Sequence, residues 1–265
     1  MNLSAIVITK NEERVIGRCL DSLAFCDETI LVDSGSTDRT LAIAREHGCV
    51  VMNEDWRGPA TQRNRGLARA RGRWCLLLDA DEWVTPALRA EIVALVASDA
   101  AAPRAEAAFA LPRASSYCGR FMRHGGWWPD PVTRLIRRGH GRFDGGIVHE
   151  HPAIDGPVGR LREPLMHESF RDLEQVLGKV NAYSTWGAQT LREQGKAPGL
   201  TSAVTHGLWT FLRTYVLRAG FLDGRRGFML AVSNAEGAYY KYLKAMLLAE
   251  AQRGPAAADA GEPPQ

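Results

Sequence analysis

The 265-residue chain has only five cysteines: Cys19, Cys26, Cys49, Cys75 and Cys118. The count is odd and no Cys-x-x-Cys spacing occurs, which excludes a disulfide framework and a zinc-finger pattern. Most of these cysteines sit in apolar runs and read as reduced core residues of a cytosolic protein. Net charge is small as well. The formal net charge of +3 is too small to mark a nucleic-acid binder. No uncharged apolar run reaches the roughly 20 residues needed to cross a bilayer. The opening residues, MNLSAIVITKNEE, lack a basic stretch followed by an apolar segment and a cleavage site, so export by that route is not expected. No internal repeat is present. A hydrophobic fraction of 45% and a charged fraction of 24% exclude a disordered or collagen-like chain. A chain of this length buries a sizeable core without staples.

The charge that is present is unevenly spread. Residues 113–142 hold seven arginines against one acid, Asp130, and residues 206–253 hold seven Lys/Arg against three acids. Basic zones of this kind read either as sites for an anionic ligand or surface, or as solvated faces of an arginine-rich protein.

Apolar runs at 3–8, 29–32, 49–52 and 74–78 alternate with helical patterns. Asn11 can N-cap a first helix, with Val15, Ile16, Cys19, Leu20 and Leu23 on one face. A second helix runs through Leu41 and Ala44 to Gly48, a third from about Thr61 to Arg71, and a fourth starts at Thr85-Pro86. Strands alternating with single helices imply an α/β fold, a parallel sheet with helices on both faces. Ligands bind such sheets at the carboxyl ends of the strands. That edge collects Thr9-Lys10-Asn11, Asp33 to Ser36, and Asp79 to Glu82. Residues 98–107 read as a surface loop. Short strands, glycine turns at Gly125-Gly126 and Gly145-Gly146, and a hairpin around Arg138 to Gly141 follow. A helix from Leu173 to Leu191 places Leu173, Val176, Leu177, Val180 and Tyr183 inward. Two apolar helices cover 200–217 and 226–249, and the Ala/Pro/Gly-rich tail 254–265 reads as disordered.

The strongest local signal is Leu76-Leu77-Leu78-Asp79-Ala80-Asp81-Glu82. A strand delivers three carboxylates to the sheet edge, and such a cluster repels itself unless a cation sits among it. Hard oxygen ligands suit Mg²⁺ or Mn²⁺, with a diphosphate completing the shell. The plainer alternative is an acidic turn capping the next helix. Asp33, in Val32-Asp33-Ser34-Gly35-Ser36-Thr37-Asp38, can accept from a nucleobase or ribose, while Ser36 or Thr37 can cap the following helix. Arg63, in Thr61-Gln62-Arg63-Asn64, joins a helix N-terminus to a guanidinium, an anion site or an ordinary surface arginine.

The order AIVITKNEE, ETILVDSGSTDRT, QRNRGLARARGRWCLLLDADE resembles a family 2 inverting glycosyltransferase with the GT-A fold. GRFDGGIVHEHP and FLDGRRGF are similar to bacterial lipopolysaccharide core glycosyltransferases of the heptose β-1,4-glucosyltransferase type. The resemblance implies a GT-A type, Rossmann-like, mostly parallel sheet flanked by helices, with a C-terminal helical extension. It implies a catalytic domain over 1–198, with a nucleotide-binding half (1–97) and an acceptor half (108–198). The helical segment 199–250 would then attach to a membrane or dimerise. The implied reaction moves a hexose, glucose foremost, from a UDP-sugar to a lipopolysaccharide inner-core or other lipid-linked saccharide.

Thr9, Asn11, Asp33, Arg63 and Asp79 would then line the nucleotide-sugar pocket. Asp79 and Asp81 would form the metal-binding pair, Asp81 the direct ligand, with His167 as a further metal or phosphate contact. An inverting reaction needs one carboxylate to take the acceptor proton. The resemblance points to Glu150, with Asp130 as the alternative; a salt bridge from a nearby arginine would weaken Glu150 as a base. Trp127 and Trp128 could stack on a sugar or belong to the core. Arg134 and His149, with Arg120, Arg123, Arg137 and Arg138 nearby, would suit an anionic, phosphorylated acceptor. Trp209, Phe211, Tyr215, Phe221 and Phe228 interleave with Arg213, Arg218, Arg225 and Arg226, as in an interfacial helix. Peripheral attachment to the cytoplasmic face of the inner membrane, by an otherwise cytoplasmic protein, follows from that reading; packing on the catalytic domain or a homodimer would look similar. A phosphatase built on an Asp-x-Asp strand is disfavoured by Trp83, two residues beyond the second Asp. A nucleotidyltransferase is disfavoured because residues 3–13 contain no glycine. The non-enzymatic alternative is an inactive GT-A scaffold or glycan-binding protein at the inner membrane.

Overall fold

The computed structural model describes residues 1–145 and 150–253. They divide into two compact units. One comprises Met1–Ser115 and Trp128–Ser169; the other comprises Ser116–Trp127 and the chain from Phe170 onward.

The first unit opens as β1 (Leu3–Thr9), α1 (Ile16–Ser22), β2 (Glu28–Asp33), α2 (Thr40–Glu46), β3 (Val50–Asn53), α3 (Pro59–Arg69) and β4 (Trp74–Asp79). It continues as β5 (Glu82–Val84), α4 (Pro86–Ala101) and β6 (Ala108–Tyr117), whose last two residues belong to the second unit. Strands β1 to β4 are parallel, in the order β3-β2-β1-β4. Their residues are apolar in unbroken runs because both faces are covered. Ala5, Val7, Leu31, Leu76 and Leu78 pack on one face with Ile16, Leu20, Ala44, Leu88 and Ile92 of α1, α2 and α4. Ile6, Ile30, Val32, Cys75 and Leu77 pack on the other with Ala60 of α3. Gly66 lets α3 lie against the sheet, since a Cβ there would come within 2.3 Å of Ile6 Cγ2.

Beyond β4 the sheet is mixed. β8 (Asp130–Arg137) runs antiparallel to β4 and to β6, and β12 (Leu165–Phe170) follows, antiparallel to β5. The short β7 (Arg120–Phe121) and β11 (Val158–Arg160) also pair with β6. The fold is the expected Rossmann-like α/β class, parallel through its first half, with a C-terminal helical extension. The chain steps outward from β1 to β3 and then crosses to β4 on the other side of β1. This reversal opens a crevice at the carboxyl ends of β1 and β4.

The second unit is helical: α5 (Leu173–Glu193), α6 (Leu200–Leu212), a π turn (Arg213–Leu217), a 3₁₀ turn (Gly220–Asp223) and α7 (Gly224–Arg253). Asp223 is buried and accepts from the backbone N–H groups of Arg123 and His124 at 3.0 and 2.8 Å, and contacts His124 Nδ1 at 3.0 Å.

Several expectations are corrected. Asn11 does not cap α1, which begins only at Ile16; its φ is 56° and its Oδ1 accepts from Thr37 N. Neither Ser36 nor Thr37 caps α2, whose N-cap is Arg39. The hairpin is not at 138–141. β9 (Gly141–Gly145) pairs with β10 (Glu150–Ile154), one connection later. The stretch 98–107 is not all surface loop. Asp99 is fully buried, accepting from Trp74 Nε1, Arg104 N and Arg137 Nη2. On α5, Leu173, Leu177 and Tyr183 are exposed; the buried stripe is Val176, Ser184, Ala188 and Leu191. The expected boundary at 198/199 lies inside the second unit, which holds α5 packed along α7. The tail 254–265 lies outside the described residues.

Candidate active site

The site is built at the carboxyl ends of β1, β2 and β4. Register places Thr9 beside Asp33 and Ile8 beside Asp79. After β2 the chain must turn sharply, and Asp33 shapes that turn. Its Oδ2 accepts from Gly35 N and Ser36 N, each at 2.8 Å, and its Oδ1 accepts from Ser36 Oγ. Gly35 takes a φ of 85°, a left-handed conformation that favours glycine. Asp33 is therefore buried and largely committed to its own loop. Ser34 Oγ accepts from the fully buried Gln62 Nε2 at 2.7 Å, which fixes the loop to α3. Sequence reasoning passed over Gln62.

Arg63, on the same helix, is 2% exposed. Its Nε donates to both carboxylate oxygens of Glu150 at 3.0 Å, and its Nη2 donates to Asp79 Oδ1 at 2.7 Å. Arg134 Nη2 donates to the other Asp79 oxygen at 2.8 Å and to Glu82 Oε1 at 3.0 Å. Arg113 Nη1 reaches the same Glu82 oxygen at 3.3 Å and donates through Nε and Nη2 to Asp130. Four carboxylates and three guanidiniums thus alternate in one chain: Glu150, Arg63, Asp79, Arg134, Glu82, Arg113, Asp130. The two candidate bases terminate it. Alternation satisfies each buried charge on both sides, which a buried ion pair requires. Burial pushes the Asp79 carboxyl up, but Arg63 and Arg134 outweigh it and hold it well below the usual carboxylate range. Burial likewise opposes the Arg134 charge, and Glu82 and Asp79 overcome it.

Two expectations about this cluster are corrected. Glu82 does not present its carboxylate at the edge with Asp79 and Asp81. It is fully buried, and its Oε2 accepts from Asp79 N. Arg134 is not an exposed acceptor contact; at 4% exposure it is an internal tie. Arg137 is equally committed, to Asp99. Arg113 was missed by sequence reasoning, although it stands directly opposite Asp130 in the β6–β8 register.

Asp81 lies in the turn between β4 and β5, outside this chain of charges. Its Oδ2 is 3.4 Å from His167 Nε2. β12 brings His167 there by pairing with β5, His167 opposite Glu82, and Ser115 Oγ contacts its other ring nitrogen at 2.9 Å. Among the described residues no three His, Cys, Asp or Glu side chains converge as a metal cage. A carboxylate and an imidazole side by side do fit the two-ligand mode in which Mg²⁺ or Mn²⁺ takes the rest of its shell from substrate phosphates and water. Three buried polar atoms lack a partner among the described residues: Thr9 Oγ1, Arg63 Nη1 and Arg134 Nε. Buried donors in this state are unusual, and all three belong to residues of this edge.

The remaining candidates are scattered. Asn11 is exposed and holds the 36–37 turn. Trp127 packs in the aromatic cluster of the second unit, 5.9 Å from Tyr117 and 5.8 Å from Phe170, whereas Trp128 belongs to the first unit. His149 lies outside the described residues.

The family model for glycosyl transferase family 2 matches residues 4–143, more than half of the chain. The chain belongs to glycosyl transferase family 2. It is 37% identical over 258 residues to the lipopolysaccharide core biosynthesis glycosyltransferase LpsC of Rhizobium meliloti (strain 1021), covering 92% of this chain and 90% of that one. It is 29% identical over 240 residues to an uncharacterized glycosyltransferase of Rickettsia bellii (strain RML369-C), covering 86% and 80%. Among solved structures it is similar to S. aureus TarS 1-349 in complex with UDP-GlcNAc, at 15% identity and a TM-score of 0.48, covering 96% and 92%. This family 2 chain is thus an enzyme, a glycosyltransferase.

Proposed function

We propose that the enzyme transfers a hexose, glucose foremost, from a UDP-sugar to a lipopolysaccharide inner-core or other lipid-linked saccharide, with inversion and with Mg²⁺ or Mn²⁺. The observation that carries this reading is the pairing of Asp81 with His167 at 3.4 Å beside the arginine-clamped Asp79. The likeness to LpsC over nine-tenths of the chain supports the acceptor class.

Asp81 and His167 would hold the metal, which neutralises the charge that develops on the leaving diphosphate. Arg63 and Arg134, each with a buried unpaired N–H, supply fixed positive charge at the same edge. Thr9 and Asp33 line the nucleotide pocket. The acceptor oxygen attacks C1 as the C1–O bond to UDP breaks on the opposite face, and Glu150 takes the acceptor proton. Arg63 Nε donates to both Glu150 oxygens, so in this reading the donor diphosphate would draw Arg63 away and leave a Glu150 oxygen open to the acceptor proton. Asp130, tied to Arg113 and 39% exposed, is the alternative base.

The catalytic role falls to the first unit, and membrane attachment to the helices after 199. No helix among the described residues is long and apolar enough to cross a membrane. Leu208, Trp209, Leu212, Val216, Leu217 and Phe221 are nonetheless exposed, among Arg213, Arg218 and Arg225. An exposed apolar patch with basic residues suits peripheral contact with an anionic leaflet; a homodimer would cover the same face.

Calorimetric titration with UDP, UDP-glucose, GDP and CMP, with and without Mn²⁺, tests the reading. Metal-dependent UDP binding at micromolar Kd is expected. Absence of nucleotide binding under any metal condition would leave the scaffold alternative.

A further inference from the structure

A second cavity lies wholly within the helical unit. Its volume is about 330 Å³, within the range of ligand sites. Tyr117, Trp127 and Phe170 form an aromatic wall, and Val176 and Leu230 add aliphatic surface. Tyr117 keeps its hydroxyl satisfied by Ser233 Oγ at 2.8 Å, leaving its ring as wall. Lys179 and Lys241 also line the cavity, and among the described residues no acidic one does. Lys179 Nζ sits 4.7 Å from the Phe170 ring centroid, so charge and aromatic surface are adjacent.

Gly237 borders the cavity with no side chain to fill it. Glycine weakens the interior of a helix, so a mid-helix glycine calls for a reason. Three helical glycines of this unit have one, whereas Gly178 of α5, like Gly237, faces open space. A Cβ at Gly227 would meet Gly220 O at 1.8 Å, one at Gly187 would meet Lys241 Cδ at 2.6 Å, and one at Gly207 would meet Tyr239 Cβ at 3.3 Å. A Cβ at Gly237 would meet nothing within 4 Å, and Gly237 lines the cavity. The space beside Gly237 therefore belongs to the cavity.

We infer that this cavity binds an anionic amphiphile, a phosphate or carboxylate head on an apolar chain. The chain lies on the Tyr117–Trp127–Phe170 wall, and the head is held by Lys179 and Lys241. An apolar, aromatic lining excludes a purely polar ligand, and two cations without an acid exclude a cationic one. The cavity shares no lining residue with the nucleotide edge or with the exposed patch on α6.

The test is calorimetric titration of the full chain with decyl phosphate below its micelle concentration, against decanol and inorganic phosphate. Saturable one-to-one binding of decyl phosphate is expected, with each half-ligand at least about tenfold weaker. Gly237→Leu should fill the cavity and abolish binding without lowering Tm. The double variant Lys179→Gln/Lys241→Gln should weaken decyl phosphate about tenfold while leaving decanol unchanged. Leu208→Asp, on the exposed α6 face, should leave binding intact. The inference is overturned if no saturable binding occurs, if Gly237→Leu binds normally, or if Leu208→Asp removes the binding.

Discussion

The two units handle polarity in opposite ways. The first buries charge: Arg63, Arg134 and Glu82 are almost inaccessible, yet each is paired. The second exposes hydrocarbon: Leu208, Leu217 and Leu222 are each more than half accessible. Both arrangements cost stability in a protein that only had to fold. Under the proposed function, each unit departs from ordinary packing where it would meet something else, an anion in one and an apolar surface in the other.

The sharpest way to test the charged side is to remove the proposed metal carboxylate and the proposed base. Asp81→Ala and Glu150→Gln should each lower turnover by about 10²–10⁴-fold. Only Asp81→Ala should also weaken metal-dependent UDP binding. Normal turnover by Glu150→Gln, with collapse in Asp130→Asn, would move the base to the other end of the chain of charges.

Removing the middle should act on stability. Arg134→Met leaves Asp79 and Glu82 short of a partner and should cost about 3–5 kcal/mol in urea unfolding. The pH dependence follows from Asp79. Its folded pKa lies below the unfolded value of about 3.9. Its contribution is therefore complete above that value and is lost as pH falls through the folded pKa. Unfolding free energies measured from pH 6 down to pH 3 should fall toward acid in the native protein and less steeply in Arg134→Met.

On the apolar side the expected effects are smaller. Leu208→Ser and Leu217→Ser should each weaken binding to vesicles containing anionic lipid about tenfold, from the lost burial of one leucine. Because both side chains are exposed, folding stability should stay within about 0.5 kcal/mol. Sedimentation of the native protein as a dimer, with no vesicle binding, would instead assign the face to a second copy.

This contrast also explains what the sequence made legible. The parallel half was readable because unbroken apolar runs end at Thr9, Asp33 and Asp79, and those ends define the edge. Asp81 and His167 are 86 positions apart, yet the order of motifs was enough to name both. The partners of buried charges were not readable. Nothing local distinguishes Arg134 or Glu82 from surface residues; only the register of β4, β6 and β8 brings them together. The face of α5 was misread for a related reason. α7 covers the stripe of Val176, Ala188 and Leu191, and Leu173, Leu177 and Tyr183 remain exposed.

The smallest effect compares a cap that is made with one that is not. Thr85 Oγ1 accepts from Leu88 N at 3.1 Å ahead of Pro86, so a local rule suffices and the Thr-Pro pair marks the start of α4. Thr85→Ala should cost about 1 kcal/mol in urea unfolding. Asn11 has the same capping chemistry, but a contact 26 residues away takes its carboxamide. Asn11→Ala should therefore leave α1 intact and loosen the Asp33 to Thr37 turn. The readout that separates the two is nucleotide affinity: weaker UDP binding in Asn11→Ala, unchanged in Thr85→Ala. Equal UDP affinity in both variants would show that the turn held by Asn11 does not shape the nucleotide pocket.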